Sequence, residues 1–495
     1  MSKKNDETPK VVDTATQDDS DVITSKNPKF GSKKSDEKDE ESAEKTPTNG
    51  QTDDEEYEYV PVKHRALKVI ACILAVIIVL GCVFTVIGKI GVKGNLEKAE
   101  NVEAVDYSKQ LEPVLEDDGM YCFTTDRTFK VMQLTDIHLG GGWLSASKDS
   151  SAITAVETMV REEKPDLVIV TGDIAYPVPF QAGTFNNKPP AQVFAELMES
   201  LGVYWTLGFG NHDTEMYSRY TREELSDLYE SEDYPHCLFL RGPDDVDGYG
   251  NQVIKVRNSA GYITQLLMVL DSHSYTNGDF LGIRWQYDNI HKNQVQWYEQ
   301  MVEKYEAENT LRLFNDASEK EREKYGNLAN VKSMLFFHIP LTEYLDAWTE
   351  LAENGYKDTE DVKYVTGMVG ETGKAIYCGI GDDDLFEKVL ELGSTQAIFC
   401  GHDHFNNFTV NYKGVDLVYG YSVDYLAYIG IKKKGSQRGC TMISIEKDGS
   451  YSVDKYNLYS GRYDLPDGFA DSIKMQFEGI LYQYFEDEEV TTAIG

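Results

Sequence analysis

Five short apolar runs in this chain each lead into a cluster of Asp, Asn or His. Each run has the length and the β-branched or aromatic content of a buried strand. The clusters are Asp136-Ile-His138, Gly172-Asp173, Gly210-Asn211-His212-Asp213, His338, and Gly401-His402-Asp403-His404. Helix-like segments separate several of the runs, and such alternation predicts an α/β sheet whose ligands lie beyond the carboxyl ends of its strands. We therefore expect all five clusters to meet in one crevice.

Any one of these clusters alone also fits a strand-end turn, because Asp and Asn stabilise turns and Gly accepts positive φ. The string Gly-Asn-His-Asp, however, arises by chance in only about 0.3% of chains of this length, taking random letters. Five clusters in order, each at a strand end, favour a functional site. Imidazole nitrogens with carboxylate and amide oxygens suit Mn, Fe, Zn and similar ions. Two such ions that share a carboxylate form a hydrolytic site.

The ordered set of clusters resembles the calcineurin-like metallophosphoesterase family, whose pattern is D-x-H, G-D, G-N-H-[DE], a lone His and G-H-x-H. The resemblance covers roughly residues 127–460. Phe-Phe-His-Ile-Pro-Leu-Thr-Glu-Tyr at 336–344 and Gly-His-Asp-His-Phe-Asn-Asn-Phe at 401–408 are similar to its purple-acid-phosphatase-related branch. The fold that this implies is a four-layer α/β/β/α sandwich of two mixed sheets.

The resemblance also implies roles for individual residues. One metal would be bound by Asp136, His138 and His404, the other by Asn211, His338 and His402, with Asp173 bridging them. A hydroxide held by the metals would attack phosphorus in line, with two divalent or mixed-valence ions (Mn, Fe or Zn) as cofactors. His212 is the expected general acid, since imidazole is the side chain that commonly gives up a proton near neutral pH. Asp213 either orients that imidazole or stabilises the turn.

Two further side chains have open roles. Purple acid phosphatases place a Tyr three residues after the bridging Asp, and Tyr176 has that spacing. Those enzymes usually have D-x-G first, whereas this chain has His138, which would compete with Tyr176 for one coordination position. We therefore expect Tyr176 to pack at the rim of the site. His273 follows another apolar stretch and is a candidate for the substrate pocket.

The N-terminal part of the chain is organised differently. Val69–Ile87 is an uncharged apolar run, which as a helix spans roughly the 30 Å hydrocarbon core of a bilayer. A buried core helix is the alternative, but it would not need so many consecutive uncharged residues. We expect a disordered acidic tail over 1–65, a transmembrane helix over 66–88, a polar stalk over 89–120, a metallophosphoesterase domain over 121–460 and a C-terminal extension over 461–495.

The function expected from these features is metal-dependent hydrolysis of a phosphomonoester or a small phosphodiester. The alternative is a membrane-anchored, non-catalytic receptor or adhesion module that keeps the fold. A net charge of −36 argues against a nucleic acid polymer as partner, because polyanion binding needs a basic surface. Basic residues flank the apolar run almost evenly. We expect a single-pass protein with its N-terminus in the cytoplasm and its catalytic domain outside.

Overall fold

The structure is a computed structural model that describes residues 65–276, 286–371, 375–380, 384–428 and 438–465. Residues 1–64 of the expected tail and 466–495 of the expected C-terminal extension lie outside this range. The described residues belong to two compact units, one up to Cys82 and one from Val83 onward.

Most of the described helices lie between strands of the chain. They are α1 (Arg65–Glu100), α2 (Ala146–Glu163), α3 (Lys188–Leu201), α4 (Arg222–Tyr229), α5 (Lys292–Asn315), α6 (Glu319–Tyr325), α7 (Thr342–Glu353) and α8 (Leu385–Leu392), with a 3-10 turn at Gly326–Ala329. β10 (Thr395–Cys400) is the apolar run that leads into the cluster Gly401-His402-Asp403-His404.

The described strands form two mixed sheets. The larger sheet holds nine strands in the order β1 (Val114–Leu115), β2 (Tyr121–Thr124), β6 (Gln252–Arg257), β7 (Ile263–Val269), β8 (Ser333–Phe336), β10, β12 (Val415–Tyr419), β11 (Thr409–Tyr412), β9 (Val362–Thr366). The smaller sheet holds five in the order β14 (Tyr451–Asn457), β13 (Gly439–Ile445), β3 (Phe129–Leu134), β4 (Leu167–Thr171), β5 (Trp205–Gly208).

Alternate residues of each central strand face different layers. Val131 of β3 and Phe336 of β8 lie in the apolar core between the sheets. Leu134 of β3 packs in the core under α2 and α3, whereas Leu335 of β8 packs in the core under α5 and α7. Because a strand projects successive side chains to opposite faces, each sheet is covered on both sides. This is the four-layer α/β/β/α arrangement, and the expected fold is confirmed.

The segment that follows the apolar run is helical at first. α1 continues to Glu100, and Ala99 is fully buried. The ammonium of Lys98 donates hydrogen bonds to the Ser150 carbonyl oxygen at 2.6 Å and to Thr154 Oγ1 at 2.5 Å, both on α2. Residues 95–100, placed in the expected stalk, therefore pack on the large unit. Within the described residues, α1 is the one helix long and apolar enough to cross a membrane, a property that signal sequences share.

The strand ends place the polar clusters at one edge of the sandwich. In the smaller sheet, parallel strands β3, β4 and β5 end just before Asp136, Asp173 and Asn211. In the larger sheet, parallel strands β8 and β10 end just before His338 and His402. Since parallel strands in one sheet end at the same edge, each sheet brings its own clusters together.

Candidate metal centre

Asp173 lies at the middle of the site. Its Oδ2 atom is 3.1 Å from Nε2 of His138 and 3.1 Å from Nε2 of His338. The other carboxylate oxygen, Oδ1, accepts a 2.8 Å hydrogen bond from the backbone N–H of His212. Asp173 is fully buried. One carboxylate thus joins imidazoles supplied by the two different sheets.

One group of ligand atoms lies on the β3 side of Asp173. Asp136, His138 and His404 offer atoms that lie within 4.8 Å of one another and could hold a cation. Nε2 of His404 is 3.4 Å from Oδ1 of Asp136. All three side chains are buried. These are the three residues that the sequence assigns to the first ion.

A second carboxylate supports this group from behind. Asp424 Oδ2 is 3.2 Å from Nδ1 of His404, and Asp424 Oδ1 is 3.4 Å from Nδ1 of His138. The Asp424 carboxylate also accepts backbone hydrogen bonds of 2.7 to 2.8 Å from residues 426–428. A carboxylate on one imidazole nitrogen fixes the ring and leaves the other nitrogen free to bind a metal. Asp424 does this for two imidazoles at once.

The other group lies on the β8 side. Nε2 of His338 is 3.1 Å from Oδ1 of Asn211 and 3.3 Å from Nδ1 of His402. The opposite nitrogen of His338 is 2.8 Å from the carbonyl oxygen of Thr171, which fixes this ring in the same way. His338 thus contacts both Asn211 and His402, the two residues that the family resemblance places with it around the second ion.

The electrostatics of the cluster favour bound cations. Burial lowers the pKa of His138, but its contacts with Asp173 and Asp424 raise that pKa to about 10. Burial also lowers the pKa of His338, but its contact with Asp173 raises that pKa to about 9. Burial alone would raise the pKa of Asp173, yet the neighbouring imidazoles hold it well below its usual range. Three buried carboxylates among imidazoles need positive charge, and two metal ions of the expected kind fit that donor set.

The backbone at the site adopts conformations that non-glycine residues rarely adopt. Asp136, His138, Asp173 and His402 all have positive φ, between 50° and 75°. Strained backbone of this kind is typical of functional sites, where the surrounding structure holds it. Gly210 serves a different need, because a Cβ atom there would lie 2.1 Å from Oδ1 of Asp173. The motif glycine is thus required by close packing against the central carboxylate.

His212 lies beside the ligand cluster with its imidazole partly exposed. Its Nδ1 atom is 2.7 Å from Oε1 of Glu215, whose side chain is 2% exposed. Tyr275 donates a 3.0 Å hydrogen bond to the same Glu215 oxygen and accepts one of 3.1 Å from the Asn211 amide. Glu215 therefore orients the imidazole and is connected through Tyr275 to Asn211, a candidate ligand.

Asp213 has a structural task. Its carboxylate accepts hydrogen bonds from the backbone N–H groups of Asp173, Ala175 and Gly210 at 2.8 to 2.9 Å. These bonds tie the turn after β5 to the turn after β4. Of the two roles that the sequence leaves open for Asp213, the geometry matches turn stabilisation. The expectation that it acts catalytically on His212 is corrected, since Glu215 occupies that place.

Tyr176 packs at the rim of the site. Its ring centroid is 4.7 Å from that of His138 and 4.8 Å from that of His212. Its hydroxyl donates a 2.5 Å hydrogen bond to Oε1 of Gln181. Burial raises the pKa of this phenol, so the hydroxyl keeps its proton. The geometry therefore agrees with the rim position rather than with a metal-bound phenolate.

His273 belongs to a separate group with Asp288 and His291. The three offer ligand atoms within 4.8 Å of one another. The rings of His273 and His291 are stacked, however, with centroids 3.9 Å apart and planes 20° apart. An imidazole binds a metal in its own ring plane, so nearly parallel stacked rings do not both point at one ion. Instead His273 contacts Gln294 at 3.0 Å and His291 contacts Asp247 at 2.7 Å, forming a hydrogen-bonded stack at the start of α5.

Sequence reasoning missed Asp424 and Glu215. Asp424 follows β12 in Tyr-Ser-Val-Asp, which matches none of the five patterns. Glu215 is three residues after His212, a spacing common in turns and helices. Strand-end position was the signal that found the other residues. It applies to Asp424 too, but only once β12 is recognised as a strand.

Comparison with known proteins agrees with this geometry. The family model described as calcineurin-like phosphoesterase matches residues 129–406. Over 327 residues the chain is 27% identical to an Arabidopsis thaliana protein named "Probable inactive purple acid phosphatase 14", covering 62% of this chain and 73% of that one. It is 29% identical over 304 residues to phosphatase DCR2 of Saccharomyces cerevisiae, covering 58% of this chain and 45% of the yeast one.

Among solved structures, a dimetal phosphatase from Danio rerio shares 12% sequence identity with a TM-score of 0.40, covering 67% of this chain and 97% of that one. The resemblance to the purple-acid-phosphatase-related branch is confirmed by the named relatives. Because the matched segment is more than half of the chain, the protein belongs to the calcineurin-like phosphoesterase family.

Proposed function

We propose that the protein hydrolyses phosphomonoesters or small phosphodiesters with two metal ions. The observation that carries the proposal is the position of Asp173 Oδ2, 3.1 Å from imidazole nitrogens of both His138 and His338. One oxygen between two ligand groups suits a bridging carboxylate. Two ions in such a site supply Lewis acidity and a nucleophilic water at neutral pH. Mn, Fe and Zn all suit the donor set.

His212 is the residue we assign to protonating the leaving group. Its Nδ1 is taken by Glu215, which leaves Nε2 for the oxygen of the departing alcohol. Its imidazole is 24% exposed, so a substrate can reach it. General acid catalysis of this kind is worth about 10² to 10⁴ in rate. We expect His212→Asn to lower kcat on an alkyl phosphate by that order while the bound metal is retained, and unchanged kcat on that substrate would remove His212 from the mechanism.

A non-catalytic role is the second candidate, favoured by the words "probable inactive" in the name of the Arabidopsis relative. Metal content and turnover separate the two. The full chain is loaded with Mn, Fe or Zn, bound metal is measured by mass spectrometry, and hydrolysis of chromogenic mono- and diesters is followed. We expect two ions per chain and turnover, both lost in Asp173→Asn. Two bound ions without turnover on any ester would favour the receptor.

Membrane anchoring is a separate part of the proposal. α1 is long and apolar enough to span a bilayer. We propose that it is a single-pass anchor with residues before it in the cytoplasm and the phosphoesterase domain outside. The strongly acidic chain makes small phosphoesters better substrates than nucleic acid polymers. External protease added to intact cells should degrade the domain, and a domain protected until the cells are lysed would contradict this orientation.

A further inference from the structure

Five large apolar side chains lie together on the surface of the large unit. They are Trp143, Leu144, Phe180, Phe185 and Met216, which we call the apolar rim. Phe180 is 93% exposed, Met216 66% and Phe185 55%. A single exposed apolar residue needs no explanation, but a contiguous group marks an interaction surface.

Backbone and ring contacts show that the apolar rim is one surface. The Leu144 N–H donates a 3.1 Å hydrogen bond to the carbonyl oxygen of Ala182, which lies in the turn that carries Phe180. The Trp143 side chain lies directly over Gly183 of the same turn. Phe185 follows that turn, and its ring centroid is 6.1 Å from that of Tyr217, the neighbour of Met216.

The apolar rim is continuous with α1. The rings of Phe84 and Trp143 are stacked, with centroids 4.2 Å apart and planes 13° apart. The exposed side chains of Val86, Ile87 and Ile90 continue the apolar surface of α1 along the next turns. Because α1 is the proposed membrane anchor, a surface that continues its last apolar turns is placed to meet the interface of the same bilayer.

The apolar rim also borders the candidate metal centre. The Tyr176 hydroxyl bonds to Gln181 in the turn that carries Phe180, while the Tyr176 ring lies 4.7 Å from that of His138. Met216 directly follows Glu215, the hydrogen-bond partner of His212. The opening of the site and the apolar rim therefore adjoin each other without sharing residues.

Basic side chains lie at the polar edge of this surface. Lys89 and Lys93 occupy the turns of α1 next to Ile90. The backbone N–H of Arg219 donates a 3.0 Å hydrogen bond to the carbonyl oxygen of Phe185, and the Arg219 guanidinium lies over the Tyr220 ring, 5.5 Å from its centroid. Aromatic residues with flanking Lys and Arg are the composition that binds the headgroup region of membranes. In a chain with a net charge of −36, cations beside the apolar rim fit an anionic bilayer.

We propose that the apolar rim lies in the headgroup region of the bilayer that α1 enters, and that the site acts on phosphoesters at the membrane surface. The membrane contact rests on the proposed anchoring by α1 as well as on the apolar rim. The substrate class rests on the proposed phosphoesterase function. We assign a lipid bilayer as the partner of the apolar rim. The fluorescence experiment distinguishes a bilayer from another protein.

Fluorescence of labelled full-length protein in lipid vesicles tests the contact. Cys72 and Cys82, which are exposed, are replaced by Ala, and Phe180→Cys is labelled with an environment-sensitive fluorophore. The matched control is Leu311→Cys, since Leu311 is 59% exposed on α5, which covers the other sheet. The doubly substituted parent measures background labelling of the five remaining cysteines.

We expect the label at position 180 to shift to shorter wavelength and to be quenched several-fold by lipids that carry a nitroxide on the acyl chain. The label at position 311 should show neither change. Equal behaviour of the two labels would overturn the proposal. A shielded label at position 180 that lipid nitroxides do not quench would also overturn it, because it indicates a protein contact.

Turnover tests the substrate class separately. We expect Phe180→Ser combined with Phe185→Ser to lower hydrolysis of a vesicle-embedded lipid phosphoester at least fivefold, with hydrolysis of soluble 4-nitrophenyl phosphate unchanged. An equal loss on both substrates, or no loss on either, would contradict a membrane substrate. If the wild-type chain hydrolyses neither ester, the proposed function fails, while the fluorescence result still decides the membrane contact.

Discussion

At the scale of single residues, the site is a set of imidazoles whose orientation is fixed by acceptors behind them. Thr171 orients His338, Glu215 orients His212, and Asp424 orients both His138 and His404. An imidazole held in this way presents one defined nitrogen to a metal or a substrate. Replacing one of these supporting residues should therefore change the metal or proton transfer that depends on its own imidazole.

Replacing Asp424 tests its support of two ligands. Asp424→Asn keeps the shape of the side chain but removes the negative charge that lies next to Nδ1 of His138 and of His404. Loss of such a supporting group typically lowers metal affinity about 10- to 100-fold. Titration of metal-free protein with Mn or Zn measures the affinity for each ion. The lower affinity should appear in one of the two binding steps. Unchanged affinity for both ions would show that Asp424 only caps the turn at residues 426–428.

Glu215 and Asp213 should differ in what they control. With Glu215→Gln we expect kcat to fall about tenfold or more for an alkyl phosphate, whose leaving group needs a proton, but little for 4-nitrophenyl phosphate. A kinetic comparison of the two esters measures this difference, which a general structural defect would not produce. Equal losses on both esters would contradict the assignment.

Asp213→Asn is the matched variant. It places an amide where the carboxylate accepts three backbone N–H groups, so it should destabilise the fold by about 1–3 kcal/mol. We expect a lower Tm with no dependence of turnover on the leaving group. A leaving-group dependence equal to that of Glu215→Gln would assign Asp213 to catalysis after all.

At the scale of elements, the turns after the strands determine how closely the ligands approach. Positive φ at Asp136, His138 and Asp173 directs these side chains inward just beyond β3 and β4. The turn after β5 contributes differently, because Gly210 leaves room for the central carboxylate. Short strands with strained turns thus give a compact cluster that longer loops would not hold.

Gly210→Ala should disturb the site without unfolding its sheet. The added Cβ atom would lie 2.1 Å from Oδ1 of Asp173, so the carboxylate must move. We expect loss of at least one bound metal ion, measured by mass spectrometry, with the far-ultraviolet circular dichroism retained. Gly326→Ala is the control, because nothing lies within 4 Å of a Cβ there. Full metal content in Gly210→Ala would contradict the packing argument.

At the scale of the whole fold, a buried ion pair connects the layers beside the site. Arg222 at the start of α4 pairs with Asp271 after β7, and their side chains are 13% and 0% exposed. Arg222 also donates 3.0 Å hydrogen bonds to the carbonyl oxygens of Gly210 and His273. One guanidinium therefore holds the turn after β5 against the larger sheet.

Breaking this pair should lower stability markedly. Asp271→Asn leaves the Arg222 charge buried without its partner, which costs about 3–5 kcal/mol in comparable cases. The loss of stability is measured as the decrease in the free energy of unfolding, obtained by denaturant titration. Arg241→Gln is the control, because the pairs of Arg241 with Asp227 and Glu230 are exposed and such pairs contribute at most about 1 kcal/mol. Similar values for the two variants would contradict a structural role for the buried pair.

The sequence by itself determined the α/β fold and the composition of the site. Short apolar runs predict β3, β4 and β10, and the polar clusters at the strand ends, with the family resemblance, indicate the seven proposed ligands, because these signals are local. The edge strand β9 and its neighbour β11 were missed. Their patterns are short, and they become strands by pairing with neighbours distant in sequence.

Only the tertiary structure decided which side chains support the ligands and what lies around them. Asp424 is almost 290 residues from His138, and Asp213 and Glu215 differ in role although they are two residues apart. Such roles depend on which backbone and which ring lie within hydrogen-bond distance, and spacing along a chain does not encode this. The apolar rim, too, exists only because three segments and α1 fold against one another.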